Sequence, residues 1–168
     1  MSKKAKQKER DKTNVMRLLD RQGIPYRHYA LASTDTVSGN EVAAELQREP
    51  EQVFKTLVTR GSRSGEHFVF VIPVDRELDL KKAARAVGEK AVAMIPMREL
   101  LPLTGYVHGG CSPIGMKKFF TTTLDASARN WPTILFSAGK IGRQVELAPA
   151  DLERVIRLQY ADVTTSPQ

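Results

Sequence analysis

Apolar residues recur along this chain with two periods, and each period marks a different kind of element. Val15, Leu18 and Leu19 fall at i, i+3 and i+4 with Gly23 beyond them, so a short amphipathic helix is predicted from about Thr13 to Gln22. Tyr26–Ala30 reads as a strand. Ser38-Gly-Asn-Glu41 has the spacing of a capping box, and the helix it opens carries Val42, Ala43 and Leu46 on one face. Pro50 opens a further turn. Val53–Arg60 and Phe68–Val74 are β-branched runs joined by Gly61-Ser-Arg-Ser-Gly65, which is a hairpin signature.

The second half is read in the same way. Asp79 caps a helix running to about Val87 and closed by Gly88. Val92–Ile95 is a short strand, and Pro96 at a first helical turn starts a helix through Leu101. Tyr106–His108 reads as a strand entering a glycine-rich turn, and Phe119–Thr123 as one leaving it. Thr133–Ser137 is a further strand, and Val145–Leu147 the last. Pro149 then opens a helix with Leu152, Val155 and Ile156 on its apolar face. No linker, repeat or low-complexity block divides the chain. Helices and strands interleave irregularly, which favours a single α+β domain, a mixed sheet flanked by helices, over a doubly wound parallel sheet. The expected boundaries are a basic, disordered leader at 1–12, one domain at 13–163, and a polar tail at 164–168.

Composition narrows the class. The 168 residues are 41% hydrophobic and 27% charged, ordinary for a globular domain with a real core. No apolar run approaches the ~20 residues of a membrane span, and the basic start has no apolar stretch behind it, so a secretory signal is not expected. One cysteine excludes an internal disulfide framework and fits a reducing cytoplasmic setting. The net charge of +7 suggests nucleic acid, but the first twelve residues carry +4 of it and the rest only +3. Such a leader adds phosphate affinity or acts as a solubilising tail, and the sequence leaves both open.

Chemistry concentrates in Gly105-Tyr-Val-His-Gly-Gly-Cys-Ser-Pro-Ile-Gly115. Glycine contributes no side chain to a core, so this stretch reads as backbone that turns sharply and brings amides close to a carbonyl, a phosphate or an oxyanion. His108 and Cys111 form one isolated pair, and with His28 and His67 they fall short of zinc spacing, so no metal is expected. Cys111 as a nucleophile would need a base and an electropositive setting, whereas single cysteines are more often small buried residues. Ser137-Ala-Gly-Lys-Ile-Gly142 is not a Walker loop: that motif needs Gly at 134 and Ser or Thr at 141, where Ile134 and Ile141 stand. Lys55 interrupts the apolar run Val53-Phe-Lys-Thr-Leu-Val58, on the strand face of Val53 and Leu57. Such a lysine either snorkels to an edge or stands in a pocket as a fixed cation.

Taken in order, Val-Phe-Lys55-Thr-Leu-Val, Asp79-Leu-Lys-Lys, the Gly105–Gly115 element and Phe136-Ser-Ala-Gly-Lys140 resemble the YbaK/EbsC family, which is related to the editing domain of bacterial prolyl-tRNA synthetases. The resemblance spans roughly Asn14 to Asp162. It implies a partly barrel-like mixed sheet and trans-editing, the removal of a wrong aminoacyl group from tRNA. The typical substrate of this branch is cysteine on proline tRNA, with cysteine tRNA as a further substrate. Expected partners are mischarged tRNA and prolyl-tRNA synthetase, with no DNA, no membrane and no cofactor. The resemblance makes Lys55, Gly109 and Gly110 catalytic and Tyr29, Pro113, Ser137, Gly139 and Gln144 substrate-binding. Gln144 stands where some members carry an aspartate, and cysteine is not required at Cys111. The alternatives are hydrolytic editing of alanyl-tRNA(Pro) or another small aminoacyl-tRNA, and a non-catalytic module that binds tRNA or a synthetase.

Overall fold

The computed structural model describes residues 11–32 and 38–166. Helix α1 (Asn14–Arg21) starts where Thr13 accepts from the Met16 amide, and it buries Val15, Met16 and Leu19. Strand β1 is Arg27–Ala30. Helix α2 (Gly39–Glu45) is capped by Ser38, whose side chain accepts from the Glu41 amide. A 3₁₀ turn at Pro50–Gln52 leads into the hairpin of β2 (Phe54–Gly61) and β3 (His67–Pro73). Helix α3 (Leu80–Val87) begins at Asp79 and ends at Gly88. Strand β4 (Val92–Met94) and helix α4 (Met97–Thr104) follow, with Pro96 as N-cap. The remaining elements are β5 (Thr121–Asp125), a 3₁₀ turn at Ala126–Asn130, β6 (Ile134–Ser137), β7 (Arg143–Leu147), α5 (Pro149–Leu152) and β8 (Leu158–Ala161).

The strands form two sheets, one of three strands in the order β1-β7-β6 and one of five in the order β4-β2-β3-β5-β8. The larger sheet is mixed: β2 pairs antiparallel with β3 and β4, while β5 runs parallel to β3 and β8. Expectation and structure therefore agree on a single mixed α+β domain. The part expected to be barrel-like is two sheets joined at a parallel Val53–Leu135 bridge, with no closed barrel.

Packing follows from which face each strand shows. Phe54, Val58, Val69, Val71 and Leu124 meet Ile134, Phe136, Val145 and Leu147 between the two sheets, and α1 closes that core with Val15, Met16 and Leu19. On the outer face of the larger sheet, Ala83 and Ala84 of α3 cover Phe68, Phe70 and Ile72. On the outer face of the smaller sheet, Val42 and Ala43 of α2 cover Leu135, with Val53 and Val74. Burying a Val, Leu, Ile or Phe side chain is worth about 1.5–3 kcal/mol, so the position of α2 is set by its apolar face.

Three expectations need correction. Tyr106–His108 is not a strand, because α4 runs on to Thr104 and the chain passes straight from helix to glycine loop. The last strand is β8, beyond Val145–Leu147, and it pairs with β5. The helix opened by Pro149 stops at Leu152, so Val155 and Ile156 pack on the core from a loop. Of the expected leader, only Asp11 and Lys12 fall within the described residues, and Lys12 pairs with Asp20 at 2.6 Å. Of the tail, Thr164 bridges Leu78. No helix among the described residues is long and apolar enough to cross a membrane.

Candidate active site

The Val53–Leu135 bridge sets the first residues of β2 beside β6, and α2 lies across the junction. A cleft of about 200 Å³ opens there. Phe54, Lys55, Thr56 and Leu57 line it from β2, Ser137 and Gln144 from the ends of β6 and β7, and Ser38, Gly39 and Val42 from α2. His108, Gly109 and Cys111 enter from the glycine loop, and Leu100 from α4. This volume is below the ~300–1,000 Å³ of sites that enclose a whole small molecule, so the cleft suits the end of a larger ligand.

The loop holds its shape through its own bonds. The Tyr106 hydroxyl donates to the Ile114 carbonyl, joining the two ends of the loop. The Tyr106 amide donates to Thr104 Oγ1 at 3.1 Å, and the Ile114 amide to Ser112 Oγ at 3.3 Å. Gly109 has φ +86°, a left-handed conformation that costs other L-residues roughly 1–2 kcal/mol. Its amide has no acceptor among the described residues, whereas the Gly110 amide donates to the Val107 carbonyl at 3.0 Å. Gly110 answers a different need. A Cβ there would stand 3.0 Å from the Ile141 nitrogen and 3.2 Å from the Lys140 carbonyl carbon, so the loop rests directly on the backbone of the β6–β7 turn. Gly110→Ala should therefore push the two turns apart and destabilise the fold by about 1–3 kcal/mol, the usual range for overpacking. A urea midpoint equal to the wild type's would show that the contact yields without cost.

Lys55 is half-buried and forms no ion pair among the described residues. Opposite it, Ser137 is 9% and Gln144 7% exposed. Gln144 Oε1 and Thr56 Oγ1 are buried without hydrogen-bond partners. Orphaned buried groups of this kind cost about 1–3 kcal/mol each and are groups that a bound ligand can satisfy. Ser137 Oγ accepts from the Gly139 amide at 3.1 Å, which shapes the turn after β6. Burial pushes the Cys111 thiol up to about 12, so near neutral pH it is a protonated, weakly nucleophilic wall residue. Among the described residues, no three His, Cys, Asp or Glu side chains come together as a metal-ligand set.

Of the residues expected at the site, the structure brings together Lys55, Gly109, Ser137 and Gln144. Gly110, Tyr29, Pro113 and Gly139 do not line the cleft. Tyr29 lies in the same cross-strand row as Gln144 and Ser137. Its hydroxyl, however, donates to Glu146 Oε1 at 2.6 Å and receives Arg48 Nη2 at 3.1 Å. Pro113 lines a second groove on the far side of the loop, and Gly139 lines a hollow beside α1. Sequence reasoning missed Thr56. It sits one residue from Lys55, and strict strand alternation places the two on opposite faces, so only its polarity within an apolar run marked it.

An α+β domain with a lysine and a glycine loop at one small cleft is the class of protein that these observations define. Residues 33–155 match the aminoacyl-tRNA editing domain, and the chain belongs to that family. It is 47% identical over 162 residues, 96% of this chain and 98% of the other, to the Enterococcus faecalis protein named "Putative Cys-tRNA(Pro)/Cys-tRNA(Cys) deacylase EbsC". It is 28% identical over 109 residues to a proline–tRNA ligase of Pelobacter propionicus, matching 65% of this chain and 19% of the ligase. A solved structure described as "a putative trans-editing enzyme for prolyl tRNA synthetase" superposes with a TM-score of 0.79 at 24% identity, covering 92% of this chain and 99% of that one. At that identity the likeness concerns the fold. The resemblance read from Lys55, the glycine motif and the Ser137–Lys140 turn is thereby borne out.

Proposed function

We propose that this chain is a trans-editing deacylase that releases cysteine from mischarged proline tRNA, and from cysteine tRNA as a secondary substrate, in the cleft beside Lys55. The observation that carries the reading is the meeting of one half-buried cation, one free backbone amide and two unpartnered buried oxygens in a space fit for a small aminoacyl end. The family and the name of the Enterococcus relative support it. Kinship with part of a proline–tRNA ligase supports prolyl-tRNA synthetase as the partner that delivers the tRNA.

An aminoacyl ester is already activated, so the site needs to position it, polarise its carbonyl and exclude larger side chains. Lys55 holds the terminal phosphate or ribose. The Gly109 amide faces the carbonyl oxygen, and Thr56 and Gln144 hydrogen-bond the polar groups of the aminoacyl ribose. The substrate supplies the nucleophile. Its thiol sulfur bonds to its own carbonyl carbon, the ester C–O bond breaks, and the thiol proton passes to the departing ribose oxygen. The products are a cyclic thiolactone and intact tRNA, with no other reactant consumed.

This route makes the reacting group the source of selectivity, because a pocket separates side chains differing by one small group by only about 1–3 kcal/mol. Purified protein should clear cysteinyl-tRNA(Pro) far faster than seryl- or alanyl-tRNA(Pro), which lack the thiol. Equal rates for the cysteinyl and seryl esters would exclude cyclisation and indicate attack by water.

A further inference from the structure

Beyond the cleft, the glycine loop continues into an open groove lined by Pro113, Lys117, Lys118, Phe119 and Arg157. Phe119 is 66% exposed, a large aromatic that no core claims. The Arg157 guanidinium lies 5.7 Å from the centroid of its ring. Lys117, Lys118 and Arg157 are all exposed, and among the described residues no carboxylate lines the groove. The Lys117 amide donates to the Thr104 carbonyl at 3.0 Å, which ties the start of this basic segment to the end of α4.

The groove lies across the same loop from the site: Cys111 lines the cleft and Pro113 the groove, and two residues of chain span at most about 7 Å.

We infer that this groove holds unpaired RNA, with a base stacked on Phe119 and the backbone phosphates on Lys117, Lys118 and Arg157. Its occupant is the single-stranded 3′ end of the tRNA whose terminal ester lies in the cleft, so the inference rests on the function proposed above. An exposed aromatic ring among cations is the pattern by which proteins hold single strands, since every base offers a π-face and every nucleotide a phosphate. A paired stem would engage the lysines and leave the ring unused. An acidic protein partner would leave it unused as well.

The test uses uncharged, fluorescently labelled single-stranded RNA ending in CCA, so its result does not depend on whether the chain deacylates anything. Binding is followed by anisotropy across a salt series, with the same RNA fully paired as comparison. Wild-type protein should prefer the single strand, and Phe119→Ala should weaken that binding about tenfold, within the range for loss of one stacked base. Phe119→Leu keeps apolar bulk without a stacking face and should be weakened equally. Lys117→Ala with Lys118→Ala should lower the slope of log K against log salt by about 1.4, or about 0.7 per phosphate contact on a single strand. Preference for the duplex, or unchanged affinity in Phe119→Ala, would overturn the inference. So would a Phe119→Leu variant that binds like wild type. If Phe119→Ala keeps RNA affinity but loses association with prolyl-tRNA synthetase, the groove is a protein-docking face and the RNA assignment fails.

Discussion

Lys55→Ala is expected to lower kcat/KM for aminoacyl-tRNA deacylation by on the order of 10²–10³-fold, within the roughly 2–5 kcal/mol lost when one partner of a desolvated charged contact is truncated. The side chain stands at the start of β2, between Phe54, which is buried in the inter-sheet core, and Thr56, whose hydroxyl is unpartnered in the same cleft. Its cross-strand neighbour is Ile72, a fully buried residue. An ammonium in such company is electrostatically stronger than one in water, because less solvent screens it. Removing it leaves no orphaned carboxylate, since no ion pair among the described residues involves Lys55. The variant should therefore keep its urea midpoint while losing its rate. Lys55→Arg, which keeps the charge on a larger and planar head group, should recover only part of the loss. Wild-type turnover by Lys55→Ala would remove the residue from the mechanism, and a fall in midpoint alongside the rate would make it a structural lysine.

Local signals and long-range ones were not equally legible in the sequence. Thr13, Ser38 and Asp79 marked the starts of α1, α2 and α3 correctly, because a cap bonds to amides two or three residues away and needs nothing from the rest of the fold. Strand β8 escaped because Leu158-Gln-Tyr-Ala lacks β-branched residues and owes its extended form to parallel pairing with β5, more than thirty positions back. Tyr106–His108 looked like a strand on composition, yet it pairs with no strand among the described residues, and Tyr106 instead joins the ends of the loop through its hydroxyl. At the site, Lys55 and the glycine loop stood out from their own residues, whereas Ser137 and Gln144 were reached only through motif order. Tyr29 shows where that transfer stops. It lies in the strand read at Tyr26–Ala30, but Arg48 and Glu146, two charges that carried no signal of their own in the sequence, take up its hydroxyl.

Those same two charges underlie the second large effect. Arg48→Ala should destabilise the fold by about 2 kcal/mol, between the cost of losing an exposed pair and that of breaking a buried one because the Arg48 side chain is 28% exposed, and lower Tm by roughly 4–8 °C for a chain of this size. Arg48 donates to both oxygens of Glu146, at 3.0 and 2.9 Å, while Tyr29 and Thr133 each donate at 2.6 Å. Glu146 is only 6% exposed, so without the guanidinium its charge would be held by two hydroxyls. Gln52 extends the network to the Thr133 carbonyl at 2.9 Å. Arg48 stands three residues beyond the end of α2, so the pair pins that end of the helix to β7, and with it the Ser38–Val42 wall of the cleft. Deacylation should fall along with stability. The pH dependence separates this cause from simple loss of packing. Burial pushes the Glu146 carboxyl up, but the hydrogen bonds from Thr133 and Tyr29 and the charge and hydrogen bonds of Arg48 outweigh it and hold the group below its ordinary value of 4.5. A carboxyl depressed on folding stabilises above its unfolded pKa, and that contribution is lost as pH falls through the folded value. Arg48→Ala gives up the Arg48 share of this depression, while the hydrogen bonds from Thr133 and Tyr29 remain. The stability gap between wild type and variant should therefore be full at neutral pH and shrink as pH falls below about 4.5. A gap that stays constant through that range would place the stabilisation in the packing of the Arg48 stem and not in its charge.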